Sequence, residues 1–310
     1  MIFLRTIPGA VSLGLIWGVM AIGLYISYKI LDFADLTVDG SICTGAVVCA
    51  VLLNVGVPLP VAMLISLIAG CACGLITGLF HTLLGIPPIL SGILTQLALW
   101  SVNLKILGKA HESLNGDKVF LLVNQLNQWQ TILIMLGIVA VLIGLLYWFF
   151  GTQAGCAIRA TGCNEKMARA QGINTKVYKV VGLTISNGIV AFSGALLAQY
   201  LSSADINMGR GAIVTGLAAV IIGLAVVSKI SSNFAVQLVG VVAGAIVYFM
   251  VYQFIVNLGF DTDLLKLLSA LLVALFLAVP YWKNKYWRKN LNRKLKKAKA
   301  QGGDGNAEKS

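Results

Sequence analysis

Charge is scarce in this chain. Of its 310 residues only 11% are Asp, Glu, Lys or Arg, against roughly a quarter in an ordinary globular domain. That excludes a soluble domain with a solvated surface. Histidine is scarcer still, at two (His81 and His111), so no histidine-rich metal site can be assembled and no cofactor is expected. Six cysteines form no paired C-x-x-C set. Cys43, Cys49, Cys71 and Cys73 lie in apolar runs, Cys156 and Cys163 in a polar loop, and all six read as free thiols. Catalytic motifs are missing as well. A rhomboid-like serine site needs G-x-S-G, but Ser193 follows Ala191 and Phe192. His111 and Glu112 run on to Leu114 and Asn115, so H-E-x-x-H fails. The Y-D and G-x-G-D pair of an intramembrane aspartyl site is absent, and so is the phosphate-cradling G-x-x-x-x-G-K-[ST] loop. The chain reads as a non-enzyme, and any ATP hydrolysis must come from a partner.

Apolar residues are what it has: 58% hydrophobic, with a mean hydropathy of +0.89. Several runs approach or exceed the roughly eighteen residues that cross a bilayer as a helix. The expected fold is all-α, a polytopic membrane protein of about nine transmembrane helices, near 8–30, 39–56, 60–80, 87–107, 129–150, 179–200, 212–228, 234–256 and 264–281. The first run, Pro8 to Ile30, is too long for a cleaved signal peptide. All six prolines (Pro8, Pro58, Pro60, Pro87, Pro88 and Pro280) fall at proposed span ends, where proline is tolerated. Trp100, Trp129, Trp148, Tyr281 and Trp282 lie near span ends, as interfacial aromatics should.

The net charge of +12 is uneven. Lys283 to Lys299 holds nine Lys or Arg; with Lys309, Asp304 and Glu308 the tail carries +8 and the rest only +4. A basic cluster straight after a span marks a cytoplasmic flank on anionic lipid, so a nucleic-acid partner is not expected. Residues 1–282 are read as the transmembrane domain and 283–310 as a basic cytoplasmic tail. Between spans five and six, 151–179 carries Arg159, Lys166, Arg169, Lys176 and Lys179 against Glu165, which places it in the cytoplasm too. Counting back puts the N-terminus outside.

Two connectors resemble each other: FADLTVDGSICTG from Phe33 and SADINMGRGAIVTG from Ser203. Parity sets them on opposite sides of the membrane, as an inverted-topology repeat would. The two repeats would be spans one to four and six to nine. Gly14/Gly18, Gly70/Gly74/Gly78 and Gly240/Gly244 recur at four-residue spacing and predict close helix packing. Within 151–179, Asn164 suits an N-cap, Glu165 a first turn and Gly172 a C-terminal stop, which predicts a two-turn helix over 164–172. A helix so short needs something to dock against.

That loop carries a resemblance. Arg159-Ala160-Thr161-Gly162-Cys163-Asn164-Glu165, then Ala168 and Ala170, then Gly172-Ile173-Asn174, resembles the coupling segment of bacterial ATP-binding-cassette importer permeases of the branched-chain amino-acid and ribose type. The Ala/Gly-rich span ISNGIVAFSGALLAQY, the Asp-Leu-Thr-Val-Asp-Gly-Ser connector, Gly-Ile-Pro-Pro before span four and the run Ala218 to Gly223 are similar too. The likeness covers most of residues 10 to 280. It is greatest to a subgroup described as tryptophan or tyrosine permeases, through RATGxNExMARAQGINT and SADINMG. Cys163 stands where a Gly or an acid is more usual, and a first span of the ribose-type members is lacking.

The resemblance implies a type II importer permease in a bacterial plasma (inner) membrane. Its partners would be two ATPase subunits, a second permease copy, an external substrate-binding lipoprotein or periplasmic protein, and the lipid bilayer. The ATPases would grip Asn164, Glu165, Met167, Ala168, Arg169, Ala170 and Gly172, with Glu165, Met167, Arg169 and Ala170 carrying the docking. Polar residues in and between spans are the candidates for the pathway: Asp35, Thr37, Asp39, Ser41, Gln96, Asp205 and Asn207. Asp35 and Asp39 either line it or cap span two as solvated charge. Asp205 and Arg210 either pair with each other or meet the binding protein. Asn187 and Gln199 read as helix–helix hydrogen bonds. Few charges in the spans suit a neutral or zwitterionic solute, and the resemblance implies an amino acid, aromatic in the nearest subgroup. A sugar or nucleoside is the alternative within that class, and an ATPase-independent carrier the alternative outside it.

Overall fold

The computed structural model describes residues 2–114, 121–123, 127–227 and 233–257, with Leu267, Ala270, Leu271, Val273 and Ala274 beyond them. Two compact units part after Phe260, and every element named below lies in the first, Met1–Phe260. The expected ninth span and the basic tail lie outside the described residues, apart from those five.

Helices dominate. α1 (Ile2–Tyr25) runs on as a π-helical turn, Ile26–Ile30. There follow α2 (Val38–Asn54), α3 (Leu59–Thr82), α4 (Pro88–Leu107), the strand β1 (His111–Ser113) and α5 (Gln128–Gly151). Then come α6 (Gln153–Cys163), α7 (Glu165–Ala170), α8 (Thr175–Leu201), the strand β2 (Ser203–Asp205), α9 (Ala212–Val227) and α10 (Phe234–Asn257). Among the described residues six helices are long and apolar enough to cross a bilayer: α1 with its π turn, α3, α4, α5, α8 and α10. The chain is a polytopic helical membrane protein.

Packing follows from small residues. α1 and α8 are the most buried of these helices, and α4 and α5 the most exposed. Gly70 of α3 lies against Asn187 and Ala191 of α8, Gly74 against Leu183 and Gly78 against Val180, so α3 and α8 run antiparallel in close approach. At Gly74 a Cβ would sit 2.2 Å from the Leu183 carbonyl oxygen, which is why only glycine fits. Ser193 Oγ donates to the Ile16 carbonyl and Ser186 Oγ to the Gly23 carbonyl, both at 2.7 Å, so α1 also runs against α8. Gly14 faces Ile246 and Gly18 faces Val242, setting α10 against α1. Trp129 and Trp148 stand exposed at the two ends of α5, as an aromatic belt requires.

Three local features differ from the sequence expectations. Pro8 lies inside α1 rather than at its start, with Ser12 Oγ bonded to its carbonyl at 2.9 Å. Residues 153–163, read as polar loop, form α6; Thr152 caps it, and Gly155, Ala157, Ile158 and Thr161 are buried at helical spacing. Trp100 sits within α4, seven residues before its end.

The two connectors depart most from expectation, because they meet instead of lying on opposite sides. After Ile30 the chain unwinds and turns back over 31–37, and α2 starts beside the middle of α8, where Ser41 Oγ donates to Asn187 Oδ1 at 2.6 Å. Asn187 is about 18 Å along α8 from Thr175 and about 21 Å from Leu201 at 1.5 Å per residue. β2 pairs antiparallel with β1, His111 opposite Asp205. The chain then passes inward over 206–211, where Gly209 packs on the Asp39 carbonyl and α9 begins. α2 runs with α8, matching Ser41 to Asn187 and Cys49 to Gln199. α9 runs against α10 and therefore with α1, since Gly223 faces Gly240 and Gly244 faces Ala219. So α2 and α9, of 17 and 16 residues, start at a common level and run apart. A long helix, a connector and a shorter helix occur twice, in opposite directions. Of the expected four-span inverted repeats, the described residues show the inversion for α1–α2 against α8–α9, with the connectors meeting inside the bundle.

Candidate functional site

Two places gather the residues singled out above. The first is α7 with the elements that hold it. Asn164 caps α7, its Oδ1 accepting from the Met167 amide at 3.1 Å, and Gly172 leaves the helix at φ +82°, a conformation that costs glycine little. Glu165 faces α8: Oε2 accepts from Lys179 Nζ at 2.7 Å, and Oε1 from Thr175 Oγ1 and from Arg169. Arg169 Nε also donates to Thr175 Oγ1 at 2.8 Å. The hydrogen bond from Lys179 is the main reason the Glu165 carboxyl lies below its ordinary pKa. Glu165 and Arg169 thus brace α7 against α8. Ala168 is buried, whereas Met167 (60% exposed), Lys166 and Ala170 face outward.

α6 ties this brace to the bundle, a connection the sequence reading missed. Gly162 lies directly on the Ile30 carbonyl at the π-helical end of α1. The Arg159 guanidinium stacks 4.5 Å from the Phe234 ring centre and 5.4 Å from that of Phe150, joining α6 to the start of α10 and the end of α5.

The second place is the junction of the two connectors. Asp35 is 1% exposed, not solvated: its carboxylate accepts from the Thr37 amide at 2.9 Å and from Asn187 Nδ2 at 2.6 Å. Thr37 Oγ1 is 2.7 Å from Thr77 Oγ1, which donates to Thr95 Oγ1 at 3.0 Å. Asp35, Thr37 and Ser41 therefore form one buried network across α2, α3, α4 and α8, with Asn187 at its centre as a helix–helix link. Gln199 also links helices, its Nε2 donating to Cys49 Sγ of α2 at 4.0 Å and to the Ala195 carbonyl of its own helix, while its Oε1 accepts from the Leu122 amide. Asp39 reaches the other connector, accepting from the Gly211 amide at 3.1 Å and the Ile213 amide at 2.8 Å, and so caps α9 from α2. Asp205 binds its own loop through the Asn207 amide at 2.6 Å and lies 3.6 Å from His111 Nδ1. It does not pair with Arg210.

Beside this junction is a cavity of about 210 Å³ between α2, α4 and the second connector. Gly40, Cys43, Gln96, Trp100, Asn103 and Arg210 line it. Of the expected pathway residues only Gln96 is among them; Asn207 is exposed elsewhere on the connector. Gln96, Trp100 and Asn103 share one face of α4 by i, i+4, i+7 spacing, the signal in the sequence that marks this wall. A larger cleft of about 470 Å³ between α3, α5 and α8 is lined only by apolar side chains and glycine, which suits lipid chains rather than a polar solute.

Known sequences match most of this chain. The family described as "Branched-chain amino acid transport system / permease component" matches residues 7–279. A tyrosine transport system permease protein of Clostridioides difficile is 38% identical over 286 residues, 92% of each chain. An uncharacterized protein of Rickettsia prowazekii is 33% identical, covering 84% of this chain and 92% of its own. The autoinducer 2 import system permease protein of Salmonella typhimurium is 28% identical over 61% of this chain and 54% of its own. No solved structure matches. Members of that family are non-catalytic membrane subunits of transport systems, and the chain belongs to the branched-chain amino acid transport system permease family.

Proposed function

We propose that this chain is the membrane-spanning subunit of an ATP-driven importer for an amino acid with an aromatic side chain. Two copies form the path, ATPase subunits seat on α7 from the cytoplasm, and an external protein delivers the solute. One observation carries the reading: α7 is braced to α8 through Glu165, Arg169 and Lys179, while Met167 and Ala170 are left outward. A six-residue helix has little stability of its own, so a brace with a free outer face suits a seat for a partner. The named relative's tyrosine transport supports an amino-acid solute. The excess of Lys and Arg on 151–179 supports a cytoplasmic α6–α7 face, with the C-terminus cytoplasmic and the N-terminus external.

The test is co-purification and uptake. Tagged wild-type chain, expressed with its chromosomal neighbours, should bring down an ATP-binding subunit, and Ala170→Glu should release it and stop uptake. Uptake that continues with the ATPase genes deleted would overturn the reading in favour of an independent carrier.

A further inference from the structure

The cavity beside the connector junction holds a polar atom that nothing among the described residues satisfies. Asn103 is 1% exposed, yet its Oδ1 has no hydrogen-bond partner among the described residues. A buried acceptor left so costs about 1–3 kcal/mol, and this one lines an open space. Arg210, on the opposite wall, forms no ion pair among the described residues. The neighbouring acids are committed elsewhere: Asp39 to the Gly211 and Ile213 amides, Asp35 to Thr37 and Asn187, Asp205 to Asn207 and His111.

Depth makes this telling. Gly209 touches the Asp39 carbonyl, and α2 starts beside the middle of α8, so the backbone at Arg210, an exposed residue, lies level with the middle of that apolar helix. An unpaired cation at that depth is expensive unless it faces water or an anion. The remaining walls are Leu97, Ile206 and the half-exposed indole of Trp100.

We propose that this cavity is a transient seat for a zwitterionic α-amino acid inside the permease. Arg210 takes the carboxylate, the carbonyl oxygens of Asn103 and Gln96 take the ammonium, and Trp100 with Leu97 receives an apolar or aromatic side chain. At about 210 Å³ the space falls below the roughly 300–1,000 Å³ of drug-sized pockets, which restricts it to small solutes. The proposal rests on the importer reading for its solute class but names a site in this chain alone.

Binding is measured on the purified permease–ATPase complex without any external binding protein. The probes are radiolabelled L-tyrosine, L-leucine, tyramine (no carboxylate) and 4-hydroxyphenylpropanoate (no ammonium). The expected result is saturable binding of at least one amino acid, weakened at least tenfold by Arg210→Gln, less by Arg210→Lys, and weakened by Asn103→Leu, with tyramine a poor competitor. ATPase association and ATP hydrolysis, measured on the same preparations, report folding independently. Wild-type complex that binds none of the probes, or an Arg210→Gln complex that binds them as wild type does, overturns the seat. ATP-dependent uptake of an amino acid in either of those cases leaves the importer reading standing, so the two failures are distinguishable.

Discussion

Gly162 is the point at which α6 rests on α1. A Cβ there would lie 1.8 Å from the Ile30 carbonyl oxygen, whereas such contacts are essentially never below 3.0 Å. Gly162→Ala must therefore open the joint by about 1.2 Å or more. The obstacle is backbone and cannot swing aside, so either α6 tilts or the Ile26–Ile30 turn shifts. Overpacking of this kind costs about 1–3 kcal/mol, a factor of roughly 5 to 150 in an equilibrium. The joint lies between two working parts. α6 leads through Asn164 into α7, and the π turn leads through 31–37 into the first turn of α2, where Gly40 lines the cavity.

The expected outcome is uncoupling rather than loss. Gly162→Ala should still bind the ATPase and hydrolyse ATP, while solute moved per ATP falls at least fivefold in reconstituted proteoliposomes. Gly137→Ala is the matched control. Its Cβ meets nothing within 4 Å on α5, and alanine is the better helix former by about 1 kcal/mol, so uptake per ATP should stay at the wild-type value. If Gly162→Ala moves as much solute per ATP as wild type, the joint does not carry motion from α7 to α2 and this reasoning fails.

Asp39→Ala removes the acceptor for the Gly211 and Ile213 amides and should lower unfolding stability by about 1–2 kcal/mol, with Asp39→Asn recovering part of it; an unchanged melting temperature for Asp39→Ala would mean that the cap contributes nothing. The Glu165 brace gives a pH dependence of definite sign. Its carboxyl pKa is lowered in the folded state, chiefly by Lys179, so the stabilisation is present above the ordinary value of 4.5 and is lost as pH falls through the lower folded value. Solvent screening limits it to about 0.2–1 kcal/mol. Amide exchange in α7, corrected for intrinsic rates, should therefore lose protection in acid and also in high salt, and Glu165→Gln should abolish both responses.

Much of the fold was legible because a bilayer leaves few options. Long apolar runs must be helices, and proline, tryptophan and glycine mark their ends and contacts; Gly70, Gly74 and Gly78 met α8 as their spacing suggested. Asn164, Glu165 and Gly172 located α7 because capping is a local interaction. The depth of α2 and α9 was not legible. A helix of 16 or 17 apolar residues reads as a short span, and only tertiary contacts fix where it begins. The same gap hid the site. Asp35 and Asp39 stood out as acids between apolar runs, but sequence cannot tell a carboxylate spent on amides from one left open. That Arg210 and the Asn103 Oδ1 are left without partners among the described residues is a property of the fold and is not written in the sequence.

That distinction sorts the polar groups at the junction into two kinds. Asp35, Thr37, Ser41, Thr77, Thr95 and Asn187 satisfy one another in a space closed to water, and they lie where α2, α3 and α8 approach too closely for any side chain at Gly45, Gly74 and Gly194. Polar groups so paired resist separation, because each one exposed to an apolar surround costs about 1–3 kcal/mol. This block is built to keep its shape. Gln96, Asn103, Trp100 and Arg210 lie on its open side, along α4 and the second connector, and the Asn103 Oδ1 there has no partner among the described residues. A path needs that second kind, since a solute is held only where the protein has left hydrogen bonds unmade, and it moves on only if those bonds are few. Asp35 and Asp39 hold the starts of α2 and α9 in place, and beside them Asn103 Oδ1 and Arg210 are the groups left open in the proposed seat.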